Sequence, residues 1–341
     1  MPNALSPVAV TATPDAALVA ARDSAVVCDL APIAVLAIGG ADATAFLHGQ
    51  LSIDVQHLAS GAFRYATYNS PKGRMLANLV LWRAGAGADG YQALVPGDIA
   101  ESVRKRLAMF VLRSKVTLSD VTAGYLRLGV GGPRATEALR AVLGVAPAPH
   151  EVAQVDDVTV LGLAESRFVL VTPVEHGTAL RTTFAKRLAE GDFAVWQWLA
   201  IRAGVPIVTA STQDAFVAQA ANMDILGAVD FNKGCYTGQE VIARMQYLGR
   251  LKERAFLFHA DGTGVAAGTR LFNAVFGEQA CGTVVNAAPA PGGGSDLLAV
   301  IQLAAVERGD TRLGDPAGPP LVQLPLPYPI PAPVTPRGRI A

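Results

Sequence analysis

A chain of 341 residues is longer than one ordinary domain, and its composition (51% hydrophobic, 16% charged, 34 glycines) excludes a disordered or fibrous protein. Lysine plus arginine equals aspartate plus glutamate at 28 each, so no overall field draws the molecule onto nucleic acid or an anionic membrane, and neither is expected as a direct partner. Cys28, Cys235 and Cys281 are widely spaced without a C-x-x-C, and the histidines show no H-x-x-x-H, which predicts free thiols in a reducing cytoplasm and no self-contained metal site.

Residues 1–25 read as a flexible lead-in, because "MPNALSPVAVTATPDAAL" has neither an apolar period nor a signal-like basic and hydrophobic pair of regions. A first unit over 26–122 follows. It predicts a strand from Ile33 to Ile38, a turn on Gly39-Gly40, and a helix capped by Asp42 that buries Ala45, Phe46 and Leu51. Strands are then expected near Phe63 to Tyr68, Met75 to Trp82 and Tyr91 to Val95, a helix from Ile99 to Leu112, and a strand from Lys115 to Leu118.

A second unit over 123–250 has a similar order of elements. It predicts a strand to Val130, Pro133 opening a helix to Leu143, strands near Val158 to Leu163 and Arg167 to Thr172, and a helix from Glu175 to Leu188. "GVGGPR" lacks the third glycine of a dinucleotide fingerprint and reads as an ordinary strand-to-helix turn. From Arg254 the pattern changes to alternating strands ("RAFLFHA", "TRLFNAV", "CGTVVNA", "LLAVIQLAAV"), a β-barrel-like domain over 251–330 ahead of a proline-rich tail, 331–341. The whole is an α+β protein of two split-βαβ modules and a C-terminal antiparallel β-domain. No heptad or long apolar edge argues for assembly, so a monomer is expected.

The segment "FNKGCYTGQEVIAR" places a lone cysteine between glycines just ahead of a helix. Thr237 and Glu240 have capping-box spacing before Val241, Ile242, Met245 and Leu248, with Tyr236 and Val241 as staple, so the helix is expected to begin at Gly238. Cys235 then lies at the positive end of that helix with Lys233 two residues away, and both features favour a thiolate. An isolated cysteine can also be a small apolar filler. The open glycine loop beside a lysine tilts the balance toward a reactive group.

"KGCYTGQEVIAR" resembles the signature of the YgfZ family of folate-binding proteins, relatives of the glycine cleavage T-protein, an aminomethyltransferase. "FLHGQLSIDV", "SPKGRMLANLVLWR", "MFVLRSKVTL", "AGVPIV", "QAANMDILGAVDFNKGCYTGQE" and "LPLPYP" resemble family segments in the same order. The resemblance implies a three-module cloverleaf with tetrahydrofolate or a derivative near its centre. It also implies a role in synthesis or repair of iron–sulfur clusters, supporting enzymes that include tRNA-modifying ones, with iron–sulfur client or assembly proteins as partners. Cys235 would then be the reactive thiol and Lys233 its activator, with Asn222, Gln219, Gln239, Glu240, Arg202 and Arg244 near the folate.

Two departures bear on the chemistry. Ala77 and Asn78 stand where T-proteins carry paired aspartates, which removes the expected proton-transfer group and disfavours the alternative of a folate-dependent aminomethyl or one-carbon transferase. Arg202 replaces an acid before Ala-Gly that would meet the pterin. Either folate sits differently there or binds more weakly, or Arg202 meets the carboxylates of its glutamate tail.

Overall fold

The computed structural model describes residues 14–84, 90–247 and 251–331. Residues 1–13 of the expected lead-in, residues 332–341 of the tail and Leu248 lie outside this set. The described chain runs α1 (Pro14–Asp23), β1 (Val26–Asp29), β2 (Ile33–Gly39), α2 (Ala43–Gln50), β3 (Phe63–Asn69), β4 (Met75–Arg83), β5 (Gly90–Pro96), α3 (Gly97–Ala108) and β6 (Thr117–Asp120). It continues with β7 (Tyr125–Gly131), α4 (Ala135–Leu143), β8 (Val152–Val155), β9 (Val158–Leu163), β10 (Arg167–Pro173), α5 (Val174–Ala185), β11 (Ala189–Gly191), α6 (Phe193–Arg202) and α7 (Gln239–Tyr247). The last elements are β12 (Glu253–Ala260), β13 (Arg270–Phe272), β14 (Gly282–Pro289), β15 (Ser295–Gln302), α8 (Leu303–Arg308), β16 (Arg312–Leu313) and β17 (Val322–Leu324). Among the described residues no helix is long and apolar enough to cross a membrane.

Three sheets result, in the orders β3-β4-β5-β2-β6, β11-β1-β7-β10-β9-β8 and β16-β13-β14-β15-β12-β17. The first buries Phe63, Trp82 and Tyr91, and α3 lays Ile99, Val103 and Leu107 on it at helical spacing. The third is antiparallel throughout, in accord with the expected C-terminal β-domain.

Several expectations are corrected. Residues 14–23 are helical, and Ala17, Leu18 and Ala21 are core residues, so this part of the lead-in is structural. β1 belongs to the second sheet, antiparallel to β7 and parallel to β11, although it falls within the first unit, 26–122, expected from the sequence. Asp42 does not cap α2 with its side chain; its carboxylate accepts the Lys115 backbone N–H at 2.7 Å and ties α2 to the approach of β6. The α4 helix starts at Ala135, two residues after Pro133, and ends on Gly144 in the left-handed region. "LLAVIQLAAV" is β15 followed by the short helix α8.

The element that local sequence patterns did not reveal is α6. Asp192 caps it by accepting the Val195 N–H, and Val195, Trp196, Trp198, Leu199 and Ile201 are all buried. Its close fit explains the glycines of "GVGG". A β-carbon on Gly129 would lie 2.4 Å from the Trp196 ring, and one on Gly131 2.6 Å from Leu199. These glycines admit a helix, not a nucleotide. On its other side α6 meets the C-terminal sheet, where Trp198 Nε1 donates to Asp296 at 2.9 Å.

Candidate functional site

Residues 203–238 leave the second sheet and pack on the first. Met75 N–H donates to the Phe216 carbonyl, Asp214 N–H to the Met75 carbonyl, and Asp230 N–H to the Ser52 carbonyl. The KGCYTGQE motif therefore sits on the first module rather than the second. Its helix begins at Gln239, one residue later than the capping box predicts. Gly238 lies in the left-handed region at φ 82°, and its carbonyl accepts the Ile242 N–H.

Lys233 is buried. Its ammonium donates to the Leu51 carbonyl at 2.7 Å and to the His48 carbonyl, at the C-terminal end of α2 where carbonyls lack helical partners. The ammonium also lies 4.9 Å from the centre of the Tyr236 ring. Burial pulls the Lys233 pKa down to about 8 and pushes that of Tyr236 up to about 12. Lys233 thus anchors the loop, with its hydrogen bonds committed to main-chain carbonyls. Within the same loop Cys235 is exposed, whereas Cys28 and Cys281 are buried. His48 Nε2 lies 3.5 Å from the position a Gly234 β-carbon would take, and His48 Nδ1 is 3.3 Å from Asp54 Oδ1.

Two hollows open between the first and second sheets. The inner one is apolar apart from Tyr65, Asn78 and Arg167, and Trp196 forms part of its wall. The outer one, about 560 Å³, includes Arg64, His150, Glu165, Gly227 and Tyr328 in its wall. Tyr65 and Val205 line both, so the two hollows adjoin. Asn78 is satisfied: its Nδ2 donates to the Pro206 carbonyl at 2.7 Å and its Oδ1 accepts the Val208 N–H at 2.8 Å. Tyr65 Oη and Arg167 Nη2 are buried without a hydrogen-bond partner, although the two groups are close enough to couple electrostatically. Tyr328 of "LPLPYP" donates to the Gly204 carbonyl of "RAGVP", and a β-carbon on Gly204 would be 2.6 Å from its ring. Two segments distant in sequence thus build one wall.

None of the six residues expected near the folate lines either hollow. Asn222 is buried in a left-handed conformation at φ 60°, with Nδ2 donating to the Ala255 carbonyl. Gln219 donates to the Ile242 carbonyl, and its own Oε1 is buried without a partner. Arg202 faces Asp296, Nη1 to Oδ2 3.6 Å, rather than the hollows. Gln239 is half-buried, and Glu240 and Arg244 are exposed, all on the first turns of α7. Sequence reasoning missed Tyr65, Arg167, Trp196, His150 and the role of Tyr328. The one local signal was an arginine opening the otherwise apolar strand "RFVLVTP".

Residues 10–153 match the family model of the GCVT N-terminal domain. The structure is similar to that of the glycine cleavage system aminomethyltransferase T from Bartonella henselae, with a TM-score of 0.73 and 18% identity over 91% of this chain and 88% of that one. The fold is therefore of the aminomethyltransferase T type.

Within that class the sequence is 32% identical over 300 residues to the tRNA-modifying protein YgfZ of Yersinia pseudotuberculosis, covering 86% of this chain and 90% of that protein. It is 29% identical, with the same coverage, to the tRNA-modifying protein YgfZ of Serratia proteamaculans. The chain belongs to the YgfZ family.

Proposed function

We propose that the protein is a cytoplasmic, monomeric, folate-binding accessory factor for synthesis or repair of iron–sulfur clusters, with Cys235 as its reactive thiol. Its clients would include iron–sulfur enzymes that modify tRNA, a reading supported by the description its YgfZ relatives carry. The observation that carries the proposal is the exposure of Cys235 on a loop whose neighbours are pinned: Lys233 to the end of α2, Tyr236 in the core and Gly238 against Ser70. Such a loop presents its sulfur at small entropic cost. One thiolate cannot hold a cluster, since stable sites take about four ligands. Among the described residues no group of three or more His, Cys, Asp or Glu is gathered to complete the shell. An assembly or client protein would supply the other ligands.

The outer hollow, about 560 Å³, would take the bulk of tetrahydrofolate or a derivative, with one end reaching the inner hollow of about 90 Å³. There Trp196 and aliphatic side chains surround Tyr65 and Arg167, whose polar neighbours are each other and whose remaining donors face the hollow. Catalysis of one-carbon transfer has no support here, because Asn78 is neutral and held at both polar atoms by main-chain groups, and the one acid lining the outer hollow, Glu165, is exposed. The deciding experiment compares wild type with Cys235→Ser for tetrahydrofolate binding in vitro and for activity of an iron–sulfur enzyme in cells. The expected result is unchanged folate binding with impaired enzyme activity. Full activity with the serine variant would overturn the role of the thiol.

A further inference from the structure

We infer that Arg167 and Tyr65 form an oxyanion receptor in the wall of the inner hollow, built to take a carboxylate of the bound ligand. Arg167 is only 2% exposed and Tyr65 6%, so neither group reaches bulk water. Arg167 donates through Nε to the Ala164 carbonyl at 3.2 Å, but Nη2 is buried and unpaired. Its guanidinium stands 5.9 Å from the centre of the Trp196 ring, and among the described residues it makes no ion pair. A buried cation without a counter-ion is costly unless something else compensates it. The Tyr65 hydroxyl, buried beside it, has the guanidinium as its polar neighbour; its oxygen can accept from Arg167, which leaves its own O–H as a second donor.

Two donors side by side in the wall of the inner hollow, one of them bordering the outer hollow as well, select the ligand by chemistry. An ammonium or guanidinium end is rejected, and a group with two acceptor oxygens satisfies both at once. The neighbouring Asn78 is held in place by one bond at each of its polar atoms, to the Pro206 carbonyl and from the Val208 N–H. The adjoining outer hollow, about 560 Å³, has room for the rest of such a molecule, with Arg64 in its wall. On the folate reading, on which only the naming of the ligand rests, the group received is a carboxylate of the p-aminobenzoyl-glutamate half rather than the neutral pterin.

The test is calorimetric titration of the full chain with four probes: tetrahydrofolate, p-aminobenzoyl-glutamate, its uncharged diamide, and 6-methyltetrahydropterin, which has no carboxylate. Arg167→Met should weaken tetrahydrofolate and p-aminobenzoyl-glutamate by about tenfold to a hundredfold, the loss expected for one charged hydrogen bond. Tyr65→Phe should weaken them about threefold to tenfold without shifting the unfolding temperature much. The diamide should bind wild type about as weakly as the acid binds Arg167→Met, and the pterin probe should be insensitive to both changes. Equal binding of acid and diamide, or loss of the pterin probe in step with the acid, overturns the receptor. If Arg167→Met does not fold, Tyr65→Phe and the acid-to-diamide ratio still decide. If tetrahydrofolate fails to bind wild type while p-aminobenzoyl-glutamate binds through Arg167, the folate reading falls and the receptor stands. If no carboxylate probe binds folded wild type, the receptor is wrong.

Discussion

Gly73 and Gly238 hold the two family-like segments "SPKGRM" and "KGCYTGQE" face to face. A β-carbon on Gly238 would lie 2.9 Å from the Gly73 Cα and 2.5 Å from the Ser70 carbonyl oxygen, and one on Gly73 would lie 2.8 Å from Val241 Cβ. Both glycines have positive φ, 71° and 82°. Gly238→Ala combines left-handed strain with a clash against backbone, which cannot swing aside, and should cost about 2–4 kcal/mol. Gly144→Ala, also left-handed at φ 75° but with open space around it, isolates the conformational part and should cost about 1 kcal/mol. Urea unfolding of the two variants measures the difference, and similar losses would mean that the two segments are not locked together.

Lys233 gives the loop a pH signature. Its pKa is about 8 in the fold against 10.5 ordinarily, with burial as the leading cause. Between those values the unfolded chain binds a proton that the folded chain lacks, so this group's contribution to stability rises as pH increases from about 8 to 10.5. Below that window the folded state carries the desolvation cost in full. Wild type should therefore gain on Lys233→Met by up to about 3 kcal/mol across the interval. Denaturant unfolding of both proteins at intervals of pH checks this, since the tyrosines and other lysines cancel in the difference. A constant gap would show an unperturbed lysine.

The three cysteines separate by exposure. Cys235 is open to solvent, whereas burial pushes Cys28 up to about 12 and Cys281 above its ordinary value. Brief iodoacetamide treatment of the native protein at pH 8 should modify Cys235 alone, and the other two should react only after unfolding. Peptide mass spectrometry reads the pattern. Prompt native labelling of Cys28, which lies in a central position of the second sheet, would contradict the fold.

What could be read from sequence followed how local each determinant is. The elements of the first module were recoverable because β3, β4 and β5 carry apolar runs bounded by turn residues, and α3 has a one-sided apolar stripe. The cysteine loop was legible too, because glycines and a helix start leave a short-range mark. By contrast α6, "FAVWQWLAIR", has no polar face to reveal its period, since it is wedged between two sheets. β1 pairs with strands far along the chain, and no local pattern encodes that choice. The hollow was invisible for the same reason. Tyr65 and Arg167 belong to different sheets and are brought together only by tertiary packing. Lys233 was found, but its burial against α2 could not be read from a position two residues before a cysteine.

Asp296 links α6 to the C-terminal sheet and explains Arg202. The carboxylate is 4% exposed, accepts from Trp198 Nε1 at 2.9 Å, meets His259 Nδ1 at 2.8 Å and faces Arg202. Asp296→Ala leaves a buried indole N–H and an imidazole unsatisfied and should cost about 3–5 kcal/mol. Arg202→Ala, whose partly exposed side chain stands 3.6 Å from the carboxylate, should cost less than about 1 kcal/mol and leave tetrahydrofolate binding unchanged. Thermal unfolding and ligand titration separate the two roles. A large loss of folate affinity in Arg202→Ala would return that residue to the binding site.

Asn78 supplies the sharpest contrast with the T-type transferases. Where the family resemblance leads one to expect a carboxylate, its amide acts as donor to the Pro206 carbonyl and acceptor from the Val208 N–H, joining β4 to the chain beyond α6. Asn78→Asp keeps the shape but sets a carboxylate oxygen against a carbonyl oxygen in a buried position. The result should be a loss of about 2–4 kcal/mol at neutral pH, partly recovered below about pH 5 as the acid takes up a proton and regains a donor. Because the new carboxylate is absorbed by this misfit rather than presented to the hollow, the variant should acquire no aminomethyl transfer to tetrahydrofolate. Unfolding curves at pH 7 and pH 5, with a transfer assay on the same preparation, test both parts. A stable, active Asn78→Asp protein would place this chain much closer to the transferases than its hydrogen bonds allow.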